Sequence, residues 1–392
     1  MTASAETSAP TRAELHDDII YPAAIPFLLV HLACFAAIWT GVTWKAVWLG
    51  VALYVLRMFA VTAGFHRYFS HRSFKTGRVM QFLFAFVGEM SAQRGVLWWA
   101  SKHRHHHKYS DMPEDVHSPR QAGFFYSHVG WIFARRHDHT DLSAIQDFAR
   151  FPELRWLEKH NYVPALVLAI LAYVIAGWPG LVVGFVWSTV VLYHGTFMIN
   201  SLAHVHGKRR YLTGDDSRNN PLLAIITLGE GWHNNHHAYM SSTRQGFRWW
   251  EFDPTFYALK AFSWLGLVWD LRAPPRAMVK GGYTPQRSVI EKVARQLAEH
   301  FPIERLAAEA RASLGQHMDE VVRRARESRE QAEAFVREMH LPELPTRDEI
   351  RARAQAMFHR SPSLDQAIER ARELIVQAVC AKLCEPALQS PA

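Results

Sequence analysis

Long apolar runs separated by short polar stretches fill the chain up to about Arg276 and then stop. Four of them, Tyr21–Thr43, Val47–Gly64, Val163–Gly177 and Leu181–Ala203, approach the ~20 residues that carry a helix across a bilayer, and they predict four spans. A fifth run, Val79–Ala100, is interrupted by Glu89, Gln93 and Arg94. From about Ser288 onward Glu, Arg and Ala dominate, and apolar positions recur at helical spacing in EKVARQLAEHFPIERLAAEARASL and DEVVRRARESREQAEAFVREMH, with Pro342 and Pro345 as breaks. The expected architecture is all-α: a polar segment over 1–20, a multi-pass membrane domain over 21–287, and a charged amphipathic helical tail over 288–392.

The mean hydropathy of −0.12 therefore averages two unlike parts and does not argue against a membrane protein. Only three cysteines occur, Cys34, Cys380 and Cys384, with no CxxC pair, which excludes a disulfide scaffold and an iron–sulfur or rubredoxin module within the chain. A net charge of +8 fits nucleic acid or an anionic membrane surface, and the apolar runs select the membrane. Glu14, Asp17 and Asp18 make the start of the chain unlike a cleavable signal peptide.

Histidines cluster at fixed spacings in the polar stretches: His66 and His71 in HRYFSH, His103, His106 and His107 in HRHHH, and His233, His236 and His237 in HNNHH. Serving one centre requires all three clusters on one side of the membrane. The stretch between His71 and His103 is too short for two spans, so Val79–Ala100 is expected to lie along the interface or bend back. Two spans separate His107 from His233, which returns the chain to the same face. Arg67, Arg72, Lys75, Arg78, Lys102, Arg104, Lys108, Arg135 and Arg136 crowd that face, whereas the GWPG loop at 177–180 is uncharged. The positive-inside rule makes the histidine face, and with it both termini, cytoplasmic.

Imidazole suits iron, zinc and copper alike, so residue type does not fix the metal. The count does more, because a catalytic zinc needs about three protein ligands and no HExxH pairing is present. Eight imidazoles imply two ions. Positions three or four apart share a helix face, so the second and third clusters can each aim two ligands one way, whereas H-x4-H converges only if the helix ends or unwinds between its histidines. Asn200 and His204, one turn apart at the end of the last span, extend the set. His31, His194 and His206 read as structural.

These motifs carry a resemblance. Over about Pro22 to Pro274 the chain resembles the membrane acyl-CoA desaturases of the Δ9 (stearoyl-CoA desaturase) type, on GFHRYFSHRSFK, HRHHHKYSD, GFFYSHVGWIFARRH, NSLAHVHG, DDSRNN and GEGWHNNHH, and on an H-x4-H first box where acyl-lipid desaturases more typically have H-x3-H. The resemblance implies a four-span bundle with a cytosolic cap around a kinked acyl tunnel, two iron ions, and O2 as co-substrate. It implies iron ligation by His66, His71, His103, His106, His107, His204, His233, His236 and His237, with Asn200 holding a metal-bound water. Gln93, Trp99 and Thr196 stand where that family shapes the kink, and Arg135 and Arg136 where it meets CoA. Phe197 departs from the family, which commonly has tryptophan there.

The chemistry explains such a site, since an unactivated methylene offers neither an acidic proton nor a leaving group to acid–base or nucleophilic catalysis. No HPGG haem motif marks a fused cytochrome b5 domain, so electrons are expected from a separate donor: a ferredoxin, cytochrome b5 or a reductase. The tail reads as a docking or oligomerisation element, or as a solvated extension. The expected partners are a fatty acyl-CoA, the lipid membrane and that donor, with no nucleic acid. Rival readings are an acyl-lipid desaturase or diiron lipid hydroxylase and, outside enzymes, a histidine-rich metal transport or storage protein.

Overall fold

The computed structural model describes residues 12–281, 287–299 and 364–384, with a few single positions besides. The tail runs over 300–363, including Pro342 and Pro345, and the first eleven residues of the polar segment lie outside the described residues. The chain divides into two compact units, Met1–Tyr211 with Asp215–Gly282, and Leu212–Gly214 with Tyr283–Ala392.

In the first unit three helices are long and apolar enough to cross a membrane: Tyr21–Thr40, Trp44–Ser70 and Tyr162–His204. Gly41, at φ +74°, ends the first, and the Thr43 hydroxyl accepts the Ala46 N–H at 3.2 Å to cap the second. The third is 43 residues long, about 65 Å if straight, twice a hydrocarbon core of roughly 30 Å. It is not straight. Ala176 and Gly177 leave helical geometry, Gly177 at φ +62°, and the segments Tyr162–Pro179 and Gly180–Trp187 pack against each other. The break thus falls at the start of the expected GWPG loop. Trp44–Phe59 also packs on Gly180–Trp187, where a Cβ at Gly50 would sit 3.0 Å from the Val183 carbonyl oxygen, so small residues permit the close approach.

Val79–Ala100 is divided as its polar interruptions suggest. Helices Arg78–Glu89 and Val96–Tyr109 flank a turn in which Ala92 and Arg94 have φ +55° and +65°. Each leg is only about 20 Å long, too short to span. Phe65, Phe69, Phe84, Leu97, Leu154 and Leu157 form the core that holds both legs against the second long helix. One two-residue antiparallel ladder, Lys75–Thr76 with Val268–Trp269, departs from the all-α expectation.

Glu89 is wholly buried at the end of the first leg. One carboxyl oxygen accepts the Val96 N–H at 3.0 Å, and the other has no partner. Burial, and then Glu158 nearby, push its pKa up to about 8. A carboxyl whose folded pKa exceeds its unfolded value loses stability as pH rises from about 4.5 towards 8. Glu89→Gln keeps the acceptor for Val96 and removes the charge. It is expected to stabilise the protein by on the order of 4 kcal/mol at pH 7.5 and by nothing at pH 4, measured by thermal unfolding in detergent.

In the second unit, helices Arg287–Glu299 and Leu364–Cys384 bury Val293, Ala294 and Leu297 against Ile375 and Val379.

Candidate metal centre

The first box solves the H-x4-H problem by changing its helix. In α geometry residues five apart point about 140° apart. Residues Ala60–Ser70 instead wind as a π-helix, and the His71 N–H donates to the His66 carbonyl five residues back at 3.2 Å. The two rings then meet edge to face with centroids 4.9 Å apart. The helix unwinds by widening.

The second box lies on Val96–Tyr109 and the third on the short helix His233–Ala238. Adjacent helical residues point about 100° apart, so each HH pair divides between two places. His103 and His107, with His236, join His66 and His71; His106 joins His204, His233 and His237. Within each group one ring nitrogen per residue lies within 4.8 Å of all the others. In the five-histidine group the Nε2 atoms form a chain: His66 to His236 at 3.0 Å, His236 to His107 at 2.9 Å, His107 to His103 at 3.0 Å and His103 to His71 at 2.9 Å. The two groups adjoin, with the His107 and His237 rings 4.4 Å apart.

Carboxylates hold the far side of several rings. Asp115 accepts from His106 Nδ1 at 2.8 Å, Asp111 from His204 Nδ1 at 2.9 Å, Asp215 from His237 Nδ1 at 2.8 Å, and Glu230 from His66 Nδ1. That fixes Nε2 as the inward atom. His106 Nε2 and His237 Nε2 are buried without any hydrogen-bond partner, which is the signature of a lone pair meant for a cation. Burial, reinforced by neighbouring imidazoles, holds His71, His103, His107, His233 and His236 well below the usual histidine range, in the neutral form that binds metal. Burial by itself would raise Asp111 and Asp115; their histidine partners override it and keep both ionised. The His117 ring lies tilted against that of His106 with centroids 4.2 Å apart, and the His117 backbone N–H donates to Asp115 Oδ1 at 3.3 Å, so it braces the second box.

Three of the four residues in the smaller group thus have a carboxylate behind them, against one of five in the larger. Asp111, at φ +57°, also accepts Ser118 Oγ at 2.6 Å and the Asp216 N–H at 2.7 Å. Asp111→Asn keeps the shape and removes the charge behind His204. Metal affinity of the four-histidine group is expected to fall roughly 10- to 100-fold, read as metal lost to a graded chelator while the other ion stays bound.

Arginines next to the clustered histidines tie the boxes together. Arg67 donates to Glu230 Oε1 at 3.1 and 3.2 Å, to Asp253 Oδ2 at 3.1 Å and to the Thr243 carbonyl at 2.8 Å. Arg104 donates to both Asp147 oxygens, at 3.0 and 2.9 Å, and to the carbonyls of Phe69 and Ser70. Glu230 sits between two glycines for steric reasons. A Cβ at Gly231 would lie 2.1 Å from the Ala224 nitrogen, and Gly229 has φ +119°. None of these carboxylates was assigned a role on sequence grounds, although Asp111, Asp215 and Glu230 lie within quoted motifs.

A family model described as "Fatty acid desaturase" matches residues 42–267, more than half of the chain and all three histidine boxes. The chain belongs to the fatty acid desaturase family. Among its relatives is an acyl-CoA 5-desaturase of Anemone leveillei, 38% identical over 249 residues, covering 62% of this chain and 77% of the relative. An icosanoyl-CoA 5-desaturase of Limnanthes douglasii is 36% identical over 267 residues, 65% of this chain and 72% of the relative. An sn-1 stearoyl-lipid 9-desaturase of Synechocystis is 36% identical over 258 residues, 64% of this chain and 79% of the relative.

The other residues singled out in the sequence occupy different places. Trp99, Thr196 and Asn200 line one cavity of about 40 Å³ with His66 and His103, and Trp99 stacks on the His103 ring at 4.9 Å. Gln93 does not line it. It lies in the turn between the two legs, buried, with its Nε2 unpartnered. Arg135 and Arg136 are exposed, and Arg136 pairs with Asp18 at 2.8 Å. His31 and His194, left as structural, hydrogen-bond to each other at 3.0 Å, and His194 reaches His128 at 3.0 Å.

Proposed function

We propose that this chain is an O2-dependent diiron desaturase that places a cis double bond, at Δ9, in a saturated fatty acyl-CoA with electrons from a separate donor. The observation that carries the reading is the pair of adjoining groups, five and four imidazoles, beside a cavity that Trp99 and Thr196 line. An all-nitrogen donor set with carboxylates behind it fits iron, and two irons held there would supply O2 activation and the removal of two hydrogens. The overall change is CH2–CH2 + O2 + 2 e⁻ + 2 H⁺ → CH=CH + 2 H2O.

The ligands are assigned as His66, His71, His103, His107 and His236 for one ion, and His106, His204, His233 and His237 for the other. Asn200, in the cavity wall, would help to hold the metal through a water. Gln93, Trp99 and Thr196 set the bend of the acyl chain, and the apolar wall keeps bulk water from the reacting carbons. Arg135 and Arg136 neutralise CoA phosphates. Counting Tyr162–His204 as two passes that turn at Gly177 gives four spans, with the histidine boxes and both termini cytoplasmic.

The relatives support a second reading, because one of them is described as a stearoyl-lipid desaturase. Purified protein given stearoyl-CoA or a stearoyl phospholipid, with O2 and a reductase system, separates the two. Oleoyl product from the CoA ester is expected. Product from the phospholipid alone would favour the second reading, and a hydroxylated chain without an unsaturated one would overturn both.

A further inference from the structure

Outside the candidate metal centre, a recess of the first unit has a volume of about 440 Å³ and is lined in part by Phe151. Its floor is aromatic, with Phe148 and Phe74 buried. Its rim is cationic. Two guanidinium groups converge on a single ring: the Arg78 ζ-carbon lies 5.6 Å and the Arg150 ζ-carbon 5.0 Å from the Phe151 centroid. Glu153 neutralises Arg78, which leaves the charge of Arg150 beside that ring without a carboxylate partner among the described residues.

The carboxylates around the rim are already engaged. Arg78 takes both oxygens of Glu153 at 2.6 and 2.8 Å, Lys75 pairs with Asp270 at 2.8 Å, and Asp147 is held by Arg104. Arg150 and Arg272 face the recess with no ion pair among the described residues. The backbone that presents Arg272 is fixed, since its N–H donates to the Ser73 carbonyl at 3.0 Å and its carbonyl accepts from Thr243 N–H at 2.8 Å.

Beside the cations lies a surface suited to lipid. Val79 is 74% exposed, Trp264 77%, Leu265 71% and Trp269 45%. Arg78 and Trp269 line the recess; Val79 follows Arg78 in the helix Arg78–Glu89, and Trp264 and Leu265, at the end of helix Pro254–Trp264, precede Trp269 by a few residues. Exposed tryptophan beside aliphatic side chains marks the headgroup level of a bilayer, and a basic recess at that level meets phosphate.

We propose that this recess seats the phosphate headgroup of an anionic phospholipid, with Arg150 and Arg272 as its unneutralised partners and Phe151 as its wall. The site is distinct from the CoA contacts assigned to Arg135 and Arg136, which do not line it. The inference rests on the membrane seat of the protein and is independent of which acyl substrate it uses.

The test is native mass spectrometry of the full-length, iron-loaded protein in detergent, titrated with phosphatidylglycerol or phosphatidylcholine. Wild type is expected to retain one phosphatidylglycerol more than the Arg150→Gln/Arg272→Gln double variant, with at least a tenfold loss of affinity in the variant and no difference for phosphatidylcholine. Iron content, circular dichroism and desaturation by the variant are expected to match wild type, and Arg150→Lys/Arg272→Lys keeps the charge and is expected to restore most of the binding. Equal retention by wild type and double variant would overturn the proposal. So would displacement by millimolar inorganic phosphate, which would make the recess a free-anion site, or by CoA, which would make it part of the substrate site.

Discussion

Replacing His236 by alanine is expected to lower desaturation at least ~1,000-fold while leaving the helical fold in place. His236 is the one residue of the third box in the five-histidine group, and its Nε2 lies 3.0 Å from that of His66 and 2.9 Å from that of His107. No neighbour can substitute, because His237 points into the other group and its Nδ1 is committed to Asp215. Losing the carboxylate behind a metal-bound histidine already costs roughly 10- to 100-fold in metal affinity, and losing the imidazole itself costs more. Iron per chain, measured by plasma mass spectrometry, is expected to fall from two towards one. His106→Ala strikes the group with four ligands and is expected to remove its ion at least as completely. Undiminished desaturation by either variant would contradict the assignment of both groups.

The second large effect is structural. Arg67→Ala is expected to destabilise the protein by about 3–5 kcal/mol, the usual consequence of leaving buried carboxylates without their partner. Arg67 is buried, and so are Glu230 and Asp253, which it holds along with the Thr243 carbonyl. Glu230 in turn positions His66, and Asp253 caps helix Pro254–Trp264 through the Phe256 N–H at 3.0 Å. Arg67→Lys retains the charge but not the fork, so it reaches one carboxylate at a time and is expected to recover only part of the loss. Thermal unfolding in detergent, followed by circular dichroism, reads the difference. A melting curve for Arg67→Ala that coincides with wild type would show the network to be dispensable.

Residue types and spacings carried much of this into view. Apolar runs located the long helices, and the polar interruptions at Glu89, Gln93 and Arg94 marked where Val79–Ala100 bends away from a crossing. The histidine boxes pointed to a candidate metal site because eight imidazoles at helical spacings have few other uses. The division of those histidines was harder to read. It depends on each HH pair splitting by one helical step and on residues 60–70 adopting π winding, which local preference does not reveal. The supporting carboxylates were hidden for another reason: Asp111 reaches His204, and Glu230 reaches His66, across long stretches of chain. Asp111 does so from a left-handed backbone position that no side-chain pattern signals. The two-residue ladder at Lys75–Thr76 is too short to leave an alternating pattern at all.

The central claim is that these two imidazole groups serve desaturation of a fatty acyl chain. Gas chromatography of the fatty acids from a host that lacks its own desaturase and expresses this chain tests it most directly. New monounsaturated acids with a cis double bond at Δ9, absent when His236 is replaced by alanine, are the expected result. An unchanged fatty-acid profile, or hydroxylated acids alone, from membranes that contain the iron-loaded protein would contradict it.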